Sequence, residues 1–234
     1  MLTKYALITG GSGYVGSAVA KSFIANGYDV INLGRSESLL SGMKTSICNL
    51  ADQKETVEAA EKILEEYGSP EVIVHMACPP TTRKSLEATT PEEVSREMAI
   101  AVGAARVLAA TFLPKMKENS AFIGITTASL LKQIPENNIG AYIPAKKALQ
   151  QMLRALHEQW GDRGIRVYAV APVFLPGGLN KDLPEGVRSI LSRQKDGSQS
   201  SAADVARLVL DLATTTKYKA GSSIEVPSLA VSLL

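Results

Sequence analysis

Two cysteines, Cys48 and Cys78, are all that the 234 residues contain, and no Cys-x-x-Cys occurs. That scarcity argues against a disulfide framework and against structural zinc sites of the usual spacing. It points to a reducing, cytoplasmic compartment. Histidine is equally scarce, with only His75 and His157, so no metal site is expected. Charge of one sign is missing too. The 25 Lys+Arg and 23 Asp+Glu leave a net charge of +2, too small for nucleic acid to be the main partner. The longest apolar runs, such as VIVHMA, fall far short of the roughly 20 residues that cross a bilayer, so no membrane partner is expected. The start, MLTKYALITG, enters a strand pattern directly, without a signal-peptide pattern. Internal repeats and low-complexity segments are absent.

What is present is an ordinary globular composition, 45% hydrophobic and 21% charged, at a length suited to one large domain. Strand patterns over 4–10, 29–34, 45–50, 71–77, 120–128, 165–172 and 222–226 alternate with helical patterns over 16–27, 52–67, 142–160 and 201–213. A further long helix opens at Thr90-Pro91, with a capping residue, a first-turn proline and acids in the first turn. Alternation with apolar strands predicts an α/β fold. Residues 1–234 read as a single doubly wound Rossmann-type domain, a mostly parallel seven-stranded sheet with helices on both faces. Residues 173–200 form the one long irregular stretch, with Gly177, Gly178, Pro184 and Gly197, and read as a substrate-binding loop.

The first strand runs into ITGGSGYVGSAVA, which places Gly10, Gly13 and Gly16 at the turn into the first helix. Residues without a Cβ let backbone N–H groups approach a pyrophosphate at the positive end of a helix, which points to a dinucleotide. The second strand ends NLGRSES. An acid for the ribose hydroxyls is missing at its end, and Arg35 stands there instead, a guanidinium able to grip a 2′-phosphate. NADP(H) is therefore the expected cofactor.

Tyr142 precedes Lys146 by four residues and is the only tyrosine with a lysine at that spacing. Seven tyrosines and fifteen lysines in the chain would give about half such a pair by chance among helical i,i+4 neighbours, so the pair alone decides nothing. Its position does more. It follows the fifth strand, at the sheet edge where ligands bind in such folds. Pro144 fixes the helix start close to Gly140, since proline fits only a first turn. Ser129 closes the fifth strand thirteen residues ahead of Tyr142.

Together these motifs resemble the short-chain dehydrogenase/reductase family over nearly the whole chain. They run in order: TGGSGYVG, Asn49-Leu50, HMAC at 75–78, LPKM at 113–116, Ser129-x12-Tyr142-x3-Lys146, and IRVYAVAP at 165–172. The resemblance implies a catalytic set in which Tyr142 is the general acid, Ser129 holds the carbonyl oxygen, and Lys146 binds the nicotinamide ribose and lowers the tyrosine pKa. It also implies cofactor contacts. The glycine turn would supply Gly10, Ser12, Gly13, Tyr14, Val15 and Gly16, and the second strand's end Arg35 and Ser36. Asn49 and Leu50 would follow the third strand, and Met76, Ala77 and Cys78 the fourth. Tyr142, Lys146, Pro172, Val173 and Leu175 would complete the set.

Three departures from the family pattern stand out. Tyr14 stands where classical members have glycine, in a spacing like that of extended members, whose additional substrate region does not fit this length. Val173 and Gly177 replace the glycine and threonine usual after the sixth strand. Ala101 replaces a helix asparagine that in the family holds a water linking the lysine to solvent.

The expected function is NADPH-dependent interconversion of a ketone and a secondary alcohol, with a 3-oxoacyl thioester as a candidate substrate. The small-molecule carbonyl would be free or carrier-linked, Arg83, Lys84, Arg188, Arg193 and Lys195 offering charge to an acidic carrier. Two other readings stay open: a non-catalytic dinucleotide-binding sensor or partner subunit, and a nucleotide-sugar epimerase or dehydratase. A homodimer or homotetramer is expected, built through helices 91–117 and 142–160, because AIAVGAARVLAATFL is apolar nearly all round.

Overall fold

The structure, a computed structural model, describes residues 4–80, 84–132, 139–181, 185–186 and 200–234. Eight strands form one sheet in the order β3-β2-β1-β4-β5-β6-β7-β8. They are β1 (Tyr5–Thr9), β2 (Asp29–Gly34), β3 (Met43–Ile47), β4 (Val72–His75), β5 (Ala121–Ile125), β6 (Arg166–Pro172), β7 (Ser222–Val226) and β8 (Val231–Leu233). The first seven are parallel, and β8 returns antiparallel along β7. The expected sheet thus gains one strand. Its three residues are all exposed, so no burial pattern marks them in the sequence.

Successive side chains of β1 take opposite faces. Tyr5 and Leu7 enter one core layer, Ala6 and Ile8 the other. Against the first layer lie α2 (Gln53–Tyr67), the long helix from Pro91 and α6 (Tyr142–Trp160); against the second lie α1 (Tyr14–Ala25) and α7 (Ala202–Thr214). The strands are apolar on both faces because both are covered. Arg166 ties the layers at one edge. Its guanidinium donates to the carbonyls of Leu212, Ala213 and Thr215 at the end of α7, and to Asn119.

The helix opened by Thr90 is capped as the sequence predicts, with Thr90 and Glu93 in a reciprocal capping box. It is α-helical over α3 (Pro91–Met98), π-helical over Ala99–Ala104, and α-helical again over α4 (Ala105–Phe112). Its most apolar window is long enough to cross a membrane but is 56% buried in the fold, as befits a core helix. The apolar surface read as spare for self-association is largely used within the chain. Ala101, Ala104, Ala105, Val107, Leu108, Ala109 and Phe112 are all buried, and Val94 and Met98 remain exposed.

Candidate active site

Thr9 and His75 are register partners at the C-terminal ends of β1 and β4. The order of strands reverses between them, and ligands of open α/β sheets bind at such a switch point. Gly10 turns the chain there at φ +73°, and a Cβ on it would stand 3.0 Å from the Cα of Ala77 across the crevice. Gly13 caps α1 without a side-chain bond, and the first turn holds no acid. The helix therefore presents its positive end and its free N–H groups to the crevice. That cradle fits the phosphates of a dinucleotide. Ser12, Gly13 and Tyr14 are exposed at its lip, Val15 is half-buried, and Gly16 is buried behind it.

Asn32 was invisible as a site residue in the sequence. It is fully buried on β2, and its Oδ1 accepts the amide of Gly11 at 2.7 Å. It therefore pins the glycine turn to the second strand. A polar residue inside an apolar strand was the available signal. Thr9 does the matching task on the other wall. Its Oγ1 accepts the amides of Met76 and Ala77, both at 3.1 Å.

The remaining expected contacts differ in exposure. Arg35 and Ser36 are exposed just beyond β2, and Arg35 has no ion pair among the described residues. Asn49 is exposed, but its Oδ1 accepts the amide of Ala51 at 3.2 Å. The side chain of Leu50 is a core group, 5% exposed, so Leu50 has only its backbone to offer a ligand. Met76 and Cys78 are half-buried and Ala77 is buried. Past β6, Pro172 is buried, and Val173 donates to the carbonyl of Val226 at 3.1 Å. Leu175 packs on the second core layer. Of the loop read over 173–200, residues 182–184 and 187–199 lie outside the described residues, and so do Arg83, Arg188, Arg193 and Lys195.

Two of the departures from the family pattern meet in space. A Cβ on Gly177 would stand 2.7 Å from the ring of Tyr14. The aromatic ring fills the volume that a side chain at 177 would need, so each departure accounts for the other. Threonine at Gly177 should therefore push the exposed Tyr14 ring aside, at a cost of up to about 1 kcal/mol of stability in the wild type. In a Tyr14→Gly background the same change should cost less than half as much. A double-mutant cycle by denaturant unfolding measures this, and additive effects would show that the two sites are uncoupled.

Tyr142 and Lys146 open α6, as their spacing requires. Tyr142 is half-buried and Lys146 is 4% exposed. The Lys146 Nζ donates to the carbonyl of Ile125 at 2.8 Å, at the end of β5, and lies 5.7 Å from the centre of the Tyr142 ring. A buried ammonium is thereby held under the phenol ring. Ser129 sits differently from the expected strand end. β5 stops at Ile125, and Ser129 opens a four-residue helix, α5 (Ser129–Lys132), packed against α6. The chain still bonds to β6 through the Thr126 and Ala128 amides, and Thr127 between them engages Ser129. Its hydroxyl receives the Ser129 amide at 3.4 Å and lies 3.3 Å from the Ser129 hydroxyl.

Two further ionisable groups gather behind Lys146. His75 is fully buried, and its Nδ1 lies 3.0 Å from the Thr9 hydroxyl. That oxygen already accepts two amides, so it donates its own hydrogen to Nδ1 and leaves the proton of the ring on Nε2. Nε2 faces the carbonyls of Ala101 and Ile100 in the π segment without a well-aligned bond to either. Burial first, and then the Lys146 ammonium, push the imidazole down to about 3, so it is neutral at physiological pH. Glu97, on the last turn of α3, is 8% exposed. Burial raises its carboxyl to about 7 against the opposing pull of Lys146. No sequence signal singled it out, since an acid on an amphipathic helix is ordinarily solvated.

Known proteins match this chain over almost its full length. The model of a family described as Enoyl-(Acyl carrier protein) reductase matches residues 12–226. The 3-oxoacyl-[acyl-carrier-protein] reductase FabG of Escherichia coli is 27% identical over 235 residues, covering 95% of both chains. Short-chain dehydrogenase reductase 3a of Arabidopsis thaliana is 26% identical over 197 residues, 80% of this chain and 77% of that one. Among solved structures, a blue fluorescent protein from a metagenomic library in complex with NADPH superposes with a TM-score of 0.85 at 24% identity, covering 96% of both. With the family model spanning residues 12–226 and the glycine turn and Tyr142–Lys146 pair in place, the chain belongs to the short-chain dehydrogenase/reductase family.

Proposed function

We propose that this oxidoreductase uses NADPH to interconvert a ketone and a secondary alcohol, and that 3-oxoacyl thioesters are the substrate class to test first. The observation that carries the reading is the buried Lys146 ammonium, 2.8 Å from the end of β5 and 5.7 Å from the Tyr142 ring. The naming of the E. coli relative supports the thioester, and the NADPH complex of the metagenomic neighbour supports the cofactor.

NADPH, when bound, supplies the hydride. The glycine turn and the free end of α1 would hold its phosphates, and Arg35 would meet the 2′-phosphate. Tyr142 gives its phenolic proton to the carbonyl oxygen as that oxygen gains charge. The Ser129 hydroxyl donates a hydrogen bond to the same oxygen and fixes its position. Lys146 stabilises the phenolate left on Tyr142.

The test is oxidation of NADPH across a panel of ketones, acetoacetyl thioesters and a 2-enoyl thioester. Turnover of a carbonyl supports the reading, and turnover of the enoyl compound alone would replace it. NADPH binding without any turnover would favour a non-catalytic dinucleotide sensor. Cofactor choice is tested separately. A charge-assisted contact is worth about 1.5–3 kcal/mol, so NADPH should be preferred over NADH by about ten- to a hundred-fold in kcat/KM. Arg35→Asp should narrow or reverse that ratio, and equal kcat/KM for both cofactors in the wild type would make Arg35 a bystander.

A further inference from the structure

We propose that Glu97 takes over the task of the helix asparagine that this chain lacks, passing protons between solvent and Lys146, and through Lys146 to Tyr142. The inference rests on the functional reading above and adds a residue to it.

Placement comes first. Glu93, Glu97 and Ala101 stand at i, i+4 and i+8 along one helix, where such positions share a face. Burial deepens along that stripe. Glu93 is half-buried and paired with Lys84, Glu97 is 8% exposed, and Ala101 is 4% exposed. The stripe runs inward along the helix that packs against α6, the helix that carries Lys146. Ala101, at its inner end, has no side chain that can accept or donate a proton. Glu97 lies one turn nearer solvent, and the Lys146 ammonium acts on its carboxyl.

The alternatives in the same cluster fail on chemistry. His75 is neutral, its Nδ1 is taken by Thr9, and burial and Lys146 both oppose a second proton on the ring. Glu97 as a fixed counter-ion would be a carboxylate held at or below its ordinary range. Instead, burial outweighs the ammonium and holds the group near 7, where it exchanges protons readily at neutral pH. Several titratable groups lie on the surrounding elements: Lys146, Lys147 and Tyr142 on α6, His75 on β4, Arg96 and Glu93 on its own helix, and Lys84 ahead of it. Of these only Lys146 acts on the Glu97 carboxyl. Lys147 is bound to Gln150 and Lys84 to Glu93.

The proton count closes. In the reducing direction the Tyr142 O–H breaks as the alcohol O–H forms. The phenolate then recovers a proton released by the Lys146 ammonium. The lysine amine takes one from the Glu97 carboxyl through a bridging water, since the only hydrogen bond of the Lys146 Nζ among the described residues is to the Ile125 carbonyl, and the carboxylate takes one from solvent. One proton enters from solvent in each turnover, and no electrons pass through these groups. Glu97 is thus a positioning residue for the proton, acting through Lys146 and touching no reacting atom.

The test joins kinetics with a direct titration. Glu97→Gln keeps the shape of the side chain and cannot carry a proton. It should lower kcat at least about tenfold, the lower part of what acid–base groups contribute. It should leave the Kd of NADPH within about twofold and remove the limb of the kcat–pH profile near neutrality. Glu97→Asp should retain that limb, displaced. Adding Ala101→Asn to Glu97→Gln should restore at least about threefold of the lost kcat, while Ala101→Asn alone changes kcat by less than about tenfold. Infrared difference spectroscopy on the protein without ligand should show a protonated carboxyl that titrates near neutrality and is missing in Glu97→Gln. Unchanged kcat and an unchanged pH profile in Glu97→Gln would overturn the relay. So would a Glu97 carboxyl that titrates in the ordinary carboxylate range. A failure of the functional reading looks different: the wild type then reduces no carbonyl at any pH, whatever Glu97 titrates as.

Discussion

Phenylalanine at Tyr142 should abolish carbonyl reduction and leave NADPH binding nearly untouched. The change deletes one oxygen from a half-buried ring. The Lys146 Nζ keeps its bond to the Ile125 carbonyl, so the cofactor side of the site keeps its shape. What disappears is the proposed proton donor, and positioned acid–base groups are worth about 10²- to 10⁴-fold in rate. A loss of that size in kcat, with the NADPH Kd within about twofold of wild type, is the signature of a group used only in the transition state. Stopped-flow reduction and cofactor fluorescence measure the two quantities on one preparation. A variant that keeps most of its kcat would remove Tyr142 from the chemistry. A variant that loses cofactor affinity in parallel would show that the hydroxyl binds rather than reacts.

The parts of this site that were legible in the sequence share a property. Each depends on residue types that physics allows in few other places. Gly10 needs a left-handed backbone, Gly16 needs contact with a carbonyl, Pro144 needs a first turn, and Tyr142 and Lys146 need one helix face. Local rules of that kind also gave the strand–helix alternation, and with it the parallel sheet. Three things could not be read, for one reason: each depends on which residues are brought together across the fold. Asn32 looks like one polar residue in an apolar strand until Gly11 is placed against it. Tyr14 and Gly177 are separate oddities until the ring fills the volume beside the glycine. Glu97 is an ordinary surface acid until helix α3 turns it toward Lys146. The π segment belongs here too. Gly103 lies against Gln53 at the start of α2, and that contact involves residues fifty positions apart. The strand β8 was missed for the opposite reason: three exposed residues on an edge carry no pattern at all.

Alanine at Gly16 should damage both stability and cofactor binding, although the same change elsewhere in a helix would help. In an ordinary helix interior, Gly→Ala gains about 0.8–1.0 kcal/mol. Gly16 lies in the first turn of α1, and the place its Cβ would occupy is already filled by the carbonyl oxygen of Gly10 and the Cα of Gly11. Neither atom belongs to a flexible side chain that can swing aside. The turn would have to open. Three bonds hold it shut: Gly10 N–H to the Leu33 carbonyl at 3.3 Å, Gly13 N–H to the Gly10 carbonyl at 3.0 Å, and Gly11 N–H to Asn32 at 2.7 Å. Opening it pulls on all three and strands the Asn32 Oδ1 in the core. The helix gain is therefore reversed into a loss of about 2–3 kcal/mol, the usual size for overpacking with buried bonds disturbed. The N–H groups that face the crevice move with the turn. Their proposed pyrophosphate contacts would be charge-assisted at about 1.5–3 kcal/mol each, so losing even one should loosen NADPH at least about tenfold. Lys21→Ala, on the exposed face of the same helix, should change neither quantity. Urea unfolding and cofactor titration well below the melting temperature separate the two effects. If Gly16→Ala unfolds at the wild-type midpoint and binds NADPH as tightly, the turn is not the phosphate cradle, and the cofactor must be sought elsewhere along the sheet edge.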